Sequence, residues 1–303
     1  MKKRRLFLSI TLIIIGIVMA FYSFIVNSIN EHHNSSVIST YEKKVQNMEQ
    51  SNIEQLIARA RKYNKSLVKT DVVITDPFDP DNEHRFLLKE YESMLNIGND
   101  ILCYVEIPCI NVYLPVYHGT SDDVLQKGAG HIEGTSIPIG GESTHSVIAA
   151  HSGLNTAKMF TDLEKMDYGD IFYIHYLGKN ICYKVDKITV VDPDDTSQLY
   201  IEKGKDYVTL LTCTPYGIND HRLCVRGVRT EIKSTNNETV RKKQSRWLKE
   251  YKKALGIGIT LMVIIIIFLT IKRMLDKKKK DRKADKWKTK LERQEWWWLL
   301  LLR

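Results

Sequence analysis

The stretch TLLTCTPYGINDHR, residues 209–222, places a cysteine and an arginine on either side of a Pro-Tyr-Gly turn. Cys213 ends an apolar run and Arg222 opens the next run, so adjacent antiparallel strands would bring their side chains together. A guanidinium stays charged at any physiological pH and favours the thiolate of a neighbouring cysteine. The spacing therefore predicts a nucleophilic thiol with a cationic partner. The alternative is a buried thiol beside a surface arginine that pairs with Asp206 or Asp220.

A nucleophilic cysteine also needs a base, which must come from elsewhere in the chain. Nine histidines compete for this role. His151 ends the apolar run SVIAA, in the same strand-end position as Cys213, whereas His131 lies in GAGHIEG and His221 precedes Arg222. Strand ends lie at the rim of a barrel, where functional residues collect. The residues alone leave the choice of histidine open, but thiol, imidazole and guanidinium together favour covalent acyl chemistry.

Two uncharged apolar runs flank this region. Residues 6–26 follow KKRR, and residues 254–271 precede KRMLDKKKKDRK. Each run is long enough for a helix across the roughly 30 Å hydrocarbon core of a membrane, and basic flanks favour the cytoplasmic side. The pattern predicts a two-pass cell-membrane protein, with 1–5 and the basic tail 272–303 inside and 27–253 outside. A cleaved signal peptide is the alternative for the first run, although its apolar part exceeds the usual length of about 7–15 residues.

The net charge of +9 belongs to the two ends of the chain, because residues 27–253 carry 28 basic and 31 acidic side chains. An external part without net positive charge argues against nucleic acid as a partner. The lysine-rich tail is expected to lie against the anionic inner leaflet of the membrane.

The remaining cysteines lie within apolar or alternating runs, where a small buried thiol is expected. They are Cys103, Cys109, Cys182 and Cys224. With five cysteines in the predicted external part, at least one thiol must stay unpaired. The sequence has no CxxC pair, and its histidines show no ligand spacing near the cysteines. It therefore predicts no metal site and no cofactor.

The external part divides into four segments. Residues 27–70 carry a loose apolar stripe with no Gly or Pro, which predicts an external helical segment. The stretch 71–84, DVVITDPFDPDNEH, predicts a long loop because Asp and Pro favour turns. Residues 85–232 are predicted to form a catalytic β domain, and the polar stretch 233–253 a juxtamembrane linker back to the second apolar run.

The β domain is predicted from short alternating or β-branched runs separated by Gly, Pro and Asp clusters. The runs are ILCYVEIP, INVYLPVY, GAGHIEG, HSVIAAH, DIFYIHYL, NICYKVDKITVV, DYVTLLTCT and HRLCVRGVRT. About eight short strands at close spacing predict a mainly β fold, an antiparallel barrel or sandwich. A helix is expected near 85–94, and short helical inserts near 122–126 and 157–164.

At this point a family resemblance becomes visible in three separate motifs. TLLTCTPYGINDHRLCVRGVR resembles the TLxTC-plus-arginine signature of sortases, and of class C, pilus-assembling sortases in particular. GAGHIEGTSIPIGGESTHSVIAAHSGL is similar to the histidine region of that family, and TDPFDP resembles the class C lid. A second, C-terminal membrane helix is also typical of class C. The resemblance covers roughly residues 1–272 and implies a sortase-type eight-stranded β-barrel.

The resemblance also implies a role for each matching residue. Cys213 would be the nucleophile, His151 the acid and base, and Arg222 the group that steadies the substrate and its oxyanion. Asp76 would point from the lid toward Arg222, with the ring of Phe78 over the thiol. The implied substrate is an LPxTG-like sorting signal, cleaved through a thioacyl intermediate and joined to a lysine of another pilin subunit. This chemistry implies no metal or cofactor.

Three other functions compete with this interpretation. The nearest is a sortase that anchors surface proteins to peptidoglycan, with lipid II or a cell-wall cross-bridge amine as acceptor. A plain cysteine hydrolase is disfavoured because no papain-like motif surrounds Cys213. A membrane receptor with a β-barrel binding module would be no enzyme at all, and its function would survive replacement of Cys213 by alanine.

Overall fold

The computed structural model describes residues 2–69, 72–79, 89–98, 100–154 and 156–231, with scattered positions between 256 and 287. The chain divides into two units, Met1–Gln244 and Ser245–Arg303, and every feature described below lies in the first. The predicted linker lies outside the described residues, as do the last part of the predicted loop 71–84 and most of the second apolar run.

Within the described residues, eight strands close into a barrel, one for each of the runs predicted from the sequence. They are β1 (Ile101–Ile107), β2 (Val112–His118), β3 (Ala129–His131), β4 (Thr144–Ala149), β5 (Ile171–Tyr176), β6 (Lys179–Val191), β7 (Asp206–Thr214) and β8 (His221–Thr230). Around the barrel their order is β1-β2-β3-β4-β7-β8-β6-β5. The predicted eight-stranded, mainly β fold is confirmed.

The predicted all-antiparallel pairing is wrong at two places. β3 pairs in parallel with β2, and β4 pairs in parallel with β7. A parallel neighbour requires a crossover that returns the chain to the same end of the sheet. Between β2 and β3 the crossover contains the helix Asp122–Lys127, and between β4 and β7 the chain passes through β5 and β6. The period-2 pattern of a strand carries no information about such crossovers.

Four α-helices accompany the barrel in the described part of the chain: α1 (Lys2–Gln46), α2 (Gln50–Leu67), α3 (Lys89–Glu92) and α4 (Asp122–Lys127). The predicted segment 27–70 is thus two helices with a short break at 47–49. α1 and α2 bury Tyr41 and Ile57 in the main core. Of the helix expected near 85–94, Lys89–Glu92 forms the single turn of α3, and 85–88 lie outside the described residues. The helix expected at 157–164 is a 3-10 turn at Leu163–Lys165.

None of the helices in the described part combines the length and the apolarity that a membrane crossing needs. Residues 6–26 lie within α1, where only some side chains are described, and residues 254–271 lie mostly outside the described set. The two predicted membrane helices are therefore not confirmed and stay predictions.

Alternation along the strands builds a main core and two smaller apolar clusters, one of which consists of Ile171, Tyr173 and Cys182 on β5 and β6. Side chains that point inward, such as Ile148 and Leu210, belong to the main core of the barrel. Their immediate neighbours point outward into a second, smaller cluster on β4, β7 and β8. This outer-face cluster consists of Ile74, Ile132, Val147, Ala149, Leu199, Leu211 and Cys224. The outer face of these strands is therefore covered, although it lies outside the barrel.

Candidate active site

The strand register brings the three predicted reactive residues into one row. Cys213 on β7 lies directly opposite Arg222 on β8. On the other side, β4 continues in register with β7, because the backbone N–H of Ala150 donates to the Leu211 carbonyl at 3.1 Å. Side chains alternate along a strand, so His151 emerges on the same outer face as Cys213. The row His151–Cys213–Arg222 thus spans three neighbouring strands that lie about 4.8 Å apart.

The two alternative histidines lie elsewhere. His131 is fully buried, with its Nδ1 2.9 Å from the Tyr91 hydroxyl and its Nε2 2.9 Å from the Ser136 carbonyl oxygen. His221 immediately precedes Arg222 on β8 and therefore points to the opposite face, where its Nδ1 lies 2.7 Å from the Asp220 carboxylate. Of the three candidates, His151 is the one that lies on the outer face beside the thiol.

The segment 72–79, called here the covering loop, lies over this row. Asp76 accepts two hydrogen bonds from Arg222, 2.8 Å from Nε and 2.6 Å from Nη2, in a bidentate pair. Both side chains are nearly buried, with 10% of Arg222 and 9% of Asp76 exposed. The alternative partners do not bind Arg222 through their carboxylates: Asp206 accepts from Tyr183, and Asp220 contacts His221.

Phe78 of the covering loop contacts the two neighbours of the thiol. Its ring centroid lies 5.6 Å from that of His151, and the Arg222 guanidinium carbon lies 5.3 Å from the ring centroid. The ring also packs against the outer-face cluster. Phe78 was expected over the thiol itself, and the contacts seen here place it against the histidine and the arginine on either side.

The turn between β7 and β8 holds Arg222 in position. Nη1 of Arg222 donates to the backbone carbonyls of Asn219 and His221, each at 3.0 Å. The guanidinium therefore has fixed backbone partners that do not depend on the covering loop. If Asp76 departs, Nε and Nη2 become available to another anion while the group keeps its orientation.

Burial and charge keep the thiol protonated in this closed arrangement. Burial raises the pKa of Cys213 to about 11, Arg222 works against this rise, and Asp76 adds to it. Burial also lowers the pKa of His151, with Asp122 acting in the opposite direction. Near neutral pH the pair therefore consists of a thiol and a neutral imidazole, which is a resting state because the thiolate is the nucleophilic form.

Three of the other four cysteines are small buried side chains, as predicted, and Cys109 is half-buried. Cys103, Cys182 and Cys224 are buried free thiols, and Cys109 lies in the 3-10 turn Pro108–Ile110. Burial raises the pKa of Cys182 to about 11 and that of Cys224 to about 12. Neither thiol belongs to the row with His151 and Arg222. Among the residues described, no His, Cys, Asp and Glu side chains gather as a metal site would require.

One part of the site was missed in the sequence. Ile74 of the covering loop is buried between Leu199 and the strand residues of the outer-face cluster. The signal lay in β4, where both alternating sets of side chains are apolar, as in Val147 and Ala149 beside Ile148. A strand that is apolar on both faces must be covered on both faces. The sequence could not indicate which distant segment supplies the cover.

Comparison with known proteins now decides the family. The sortase domain family matches residues 105–230. Among solved structures, sortase C-1 from Streptococcus pneumoniae is 47% identical, with 65% of this chain and 98% of that chain covered and a TM-score of 0.61. The chain belongs to the sortase family. Sortase C1 of GBS pilus island 1 is 42% identical over 66% of this chain and 94% of that one, with a TM-score of 0.61.

The resemblance to class C sortases is therefore confirmed, and with it the prediction of an enzyme of the cysteine transpeptidase type. The curated relatives are more distant. Sortase D of Bacillus subtilis (strain 168) is 31% identical over 112 residues, which is 37% of this chain and 54% of that protein. The chain spans about half the length of the curated relatives it matches.

Proposed function

We propose that this class C sortase is a membrane-anchored transpeptidase that cleaves an LPxTG-like sorting signal and joins pilin subunits through a lysine isopeptide bond. The observation that carries the proposal is the row His151–Cys213–Arg222 on one face of three adjacent strands. The structural neighbours support the pilin substrate, because they include sortase C1 of GBS pilus island 1 and a pilus-related sortase C of Group B Streptococcus. The alternative acceptor, lipid II or a cell-wall cross-bridge amine, uses the same row and differs only in the second step.

The first half of the reaction transfers the acyl group to the enzyme. Cys213 Sγ attacks the threonine carbonyl carbon of the sorting signal while its proton passes to His151. The oxyanion that forms is stabilised by the Nε and Nη2 donors of Arg222, the same two atoms that hold Asp76 in the closed state. His151 then gives the proton to the glycine nitrogen, the C–N bond breaks, and a thioacyl bond to Cys213 remains.

The second half transfers the acyl group to the acceptor. The lysine amine attacks the thioacyl carbon, and His151 accepts its proton. An amide bond forms, the C–S bond breaks, and the proton returns to Cys213. Every proton in this cycle moves between side chains of the row and the two substrates, so the chemistry requires no metal ion or cofactor.

The covering loop acts as a lid in this proposal. It occupies the oxyanion donors of Arg222 with Asp76, places Phe78 against His151, and contributes to the high pKa of Cys213. Closure is therefore self-inhibition, which ends when a substrate or membrane partner displaces the loop. Alternatively, the covering loop would be a surface linker without a role in catalysis. The near-complete burial of the Asp76 and Arg222 side chains argues against this.

Membrane anchoring is proposed from the sequence pattern alone. Two apolar runs with basic cytoplasmic flanks would hold the barrel outside the membrane, where its membrane-held substrates are found. Protease added to intact protoplasts should remove the barrel and spare a tag at either terminus. Loss of the C-terminal tag would refute the two-pass arrangement.

Mass spectrometry tests the reaction most simply. The full chain in detergent, carrying Asp76→Ala and Phe78→Ala to free the row, is mixed with an LPxTG-type peptide. An adduct equal to the peptide's acyl part should form on Cys213. A lysine-containing pilin peptide should release it as an isopeptide product, whereas preference for a cross-bridge amine would favour the alternative acceptor. The absence of any adduct would overturn the transpeptidase proposal.

A further inference from the structure

The covering loop runs along the outer face in a defined direction. Val72 to Asp76 are without helix or strand and follow one another from the far end of the face toward the thiol. Val72 packs on Gly134, where an added Cβ would lie 2.5 Å from Val72 Cγ1. Ile74 lies in the outer-face cluster, Asp76 on Arg222 and Phe78 on His151. The loop thus marks a continuous path that ends at the reactive row.

The far end of this path opens into a cavity of about 410 Å³. Its walls come from the end of α2, from Val72 and Ile74 of the covering loop, and from the segment 199–203 that precedes β7. The lining is mostly apolar and includes Leu67, Ile74, Leu199 and Ile201. Because Ile74 and Leu199 also belong to the outer-face cluster, the cavity is continuous with the covered face.

The polar groups of the cavity already have protein partners. His145 places its two ring nitrogens 2.8 Å from the Tyr200 carbonyl and 2.7 Å from the Thr209 hydroxyl. Ser143 Oγ accepts from the backbone N–H of Gly204 at 2.9 Å. Lys203 is the charged member of the lining, and its side chain is exposed to solvent. The lining therefore suits an apolar side chain better than a polar one.

The chemistry of the proposed reaction fixes which part of a substrate lies here. The acyl part stays on the enzyme through both half-reactions, whereas the leaving and incoming amines must exchange through open solvent. The covered path is suited to the retained acyl part, and the rim beyond Cys213, with its exposed Tyr216 and Ile218, is open for exchange. The segment upstream of the scissile bond should therefore extend from the row toward the cavity.

Distances then set the register. His145 on β4, at the cavity, precedes His151 just beyond the end of β4 by six residues, roughly 20 Å at about 3.3 Å per residue. The four residues L-P-x-T span only about 13 Å at the same rise, so the motif reaches no further than the near wall of the cavity, where Ile74 lies. The covering loop gives the same answer. If Pro77 stands where the threonine lies, Ile74 marks the leucine position, and Val72 marks a position two residues further upstream.

We propose that the cavity is a binding subsite for the substrate residue two positions upstream of the first residue of the sorting signal, and that it selects an apolar side chain there. The inference rests on the proposed function and deepens it. The enzyme therefore recognises its substrate over a longer segment than the five-residue motif. In the closed state Val72 of the covering loop forms one wall of this subsite.

Peptide competition tests the subsite. The full chain in detergent, with Asp76→Ala and Phe78→Ala, is assayed with three peptides: the capped motif alone, the motif with a two-residue extension that begins with leucine, and the same extension beginning with serine. The leucine peptide should have a kcat/KM about tenfold above the serine peptide, as expected for burial of an apolar side chain. Equal values for the leucine and serine peptides would overturn the proposal.

Two tryptophan substitutions provide a matched control. Ile201→Trp adds bulk inside the cavity and should bring the leucine-to-serine ratio close to one. Val190→Trp adds the same bulk at an exposed position outside the lining and should leave the ratio unchanged. A ratio that survives Ile201→Trp would contradict the assignment.

A binding measurement separates this inference from the reaction. Fluorescence polarisation with the Cys213→Ala form of the same lid variant should rank the three peptides as kinetics does. Tighter binding of the leucine peptide without any cleavage by the Cys213 enzyme would refute the transpeptidase proposal and keep the subsite. Cleavage without a difference in binding or kcat/KM would keep the transpeptidase and refute the subsite.

Discussion

The barrel interior and the outer face of β4, β7 and β8 are built from alternate residues of the same strands. On β7, Leu210 points into the main core, and its neighbour Leu211 points into the outer-face cluster. Both side chains are almost fully buried. The interior is closed by strand pairing around the barrel, whereas the outer face is covered by a loop anchored through Asp76 and Phe78.

The two regions therefore open in different ways. Exposing the interior requires unfolding of the barrel, because its walls are hydrogen-bonded strands. Exposing the outer face requires only that a short loop give up one ion pair and a few apolar contacts, which is a local opening of low free energy. Chemistry that needs a dry site at one moment and an accessible site at the next belongs on the outer face.

The largest expected difference between the regions concerns two cysteines. Cys213→Ala on the outer face should lower transpeptidation by about 10³-fold or more, because the reaction is covalent. Cys103→Ala in the interior should leave the rate within about twofold and lower the stability by roughly 1 kcal/mol. Peptide cleavage and denaturant unfolding of both variants check this. A comparable loss of activity in both would show that the outer row is not the reactive site.

Alanine substitution of two neighbouring leucines compares how much the interior and the outer face contribute to stability. Leu210→Ala in the interior should lower the unfolding free energy by about 3 kcal/mol, because strand walls cannot collapse onto the cavity. Leu211→Ala should lower it by about half as much, because the covering loop can settle into the space. Urea unfolding of the two variants provides the measurement. A greater loss for Leu211→Ala would mean that the outer face is as rigid as the interior.

Three buried histidines make stability depend on pH, because burial lowers the pKa of His118 as well as the pKa values of His131 and His145, whose shifts are larger. Burial lowers the pKa of His131 to about 3 and that of His145 to about 4. Between these values and the usual value of about 6.5, the unfolded chain binds more protons than the folded one. Stability is therefore full above pH 6.5 and falls as the pH drops through this window.

From pH 6.5 to 5.5 this loss should be about 1 kcal/mol for each of His131 and His145. Unfolding in urea at the two pH values checks the slope. His145→Gln should remove about 1 kcal/mol of it, whereas the exposed His32, replaced in the same way, should change nothing. Equal stability of the parent chain at pH 6.5 and 5.5 would contradict the assignment of both histidines as buried and neutral.

The sequence predicted the parts of the fold that depend on local patterns. Each strand has a period of two and is bounded by turn residues, so all eight strands of the barrel were visible. The break between α1 and α2 at 47–49 was not, because it contains no glycine or proline. The parallel pairing of β4 with β7 was also invisible, since residues far apart in the chain determine it.

The site residues were also easier to predict where their positions depend on nearby sequence than where they depend on distant pairings. Cys213 and Arg222 flank one turn, so their adjacency on paired strands followed from the sequence. His151 was one of three candidates until the family resemblance selected it, because its position depends on a parallel pairing. Ile74 was missed, because nothing in the sequence of the covering loop shows that this residue packs against strands far away in the chain.

The accessibility of Cys213 in the closed and opened states directly tests whether the covering loop covers the outer-face site. A thiol reagent is added to the full chain and to its Asp76→Ala/Phe78→Ala variant over a range of pH, and labelling of Cys213 is followed by mass spectrometry. Removal of Asp76 and of burial both lower the pKa of the thiol from its closed-state value of about 11. We expect labelling of the variant to be about tenfold faster at pH 7.5, with an inflection at lower pH. Labelling that is unchanged or slower, or an inflection at the same pH, would contradict the covered outer-face site.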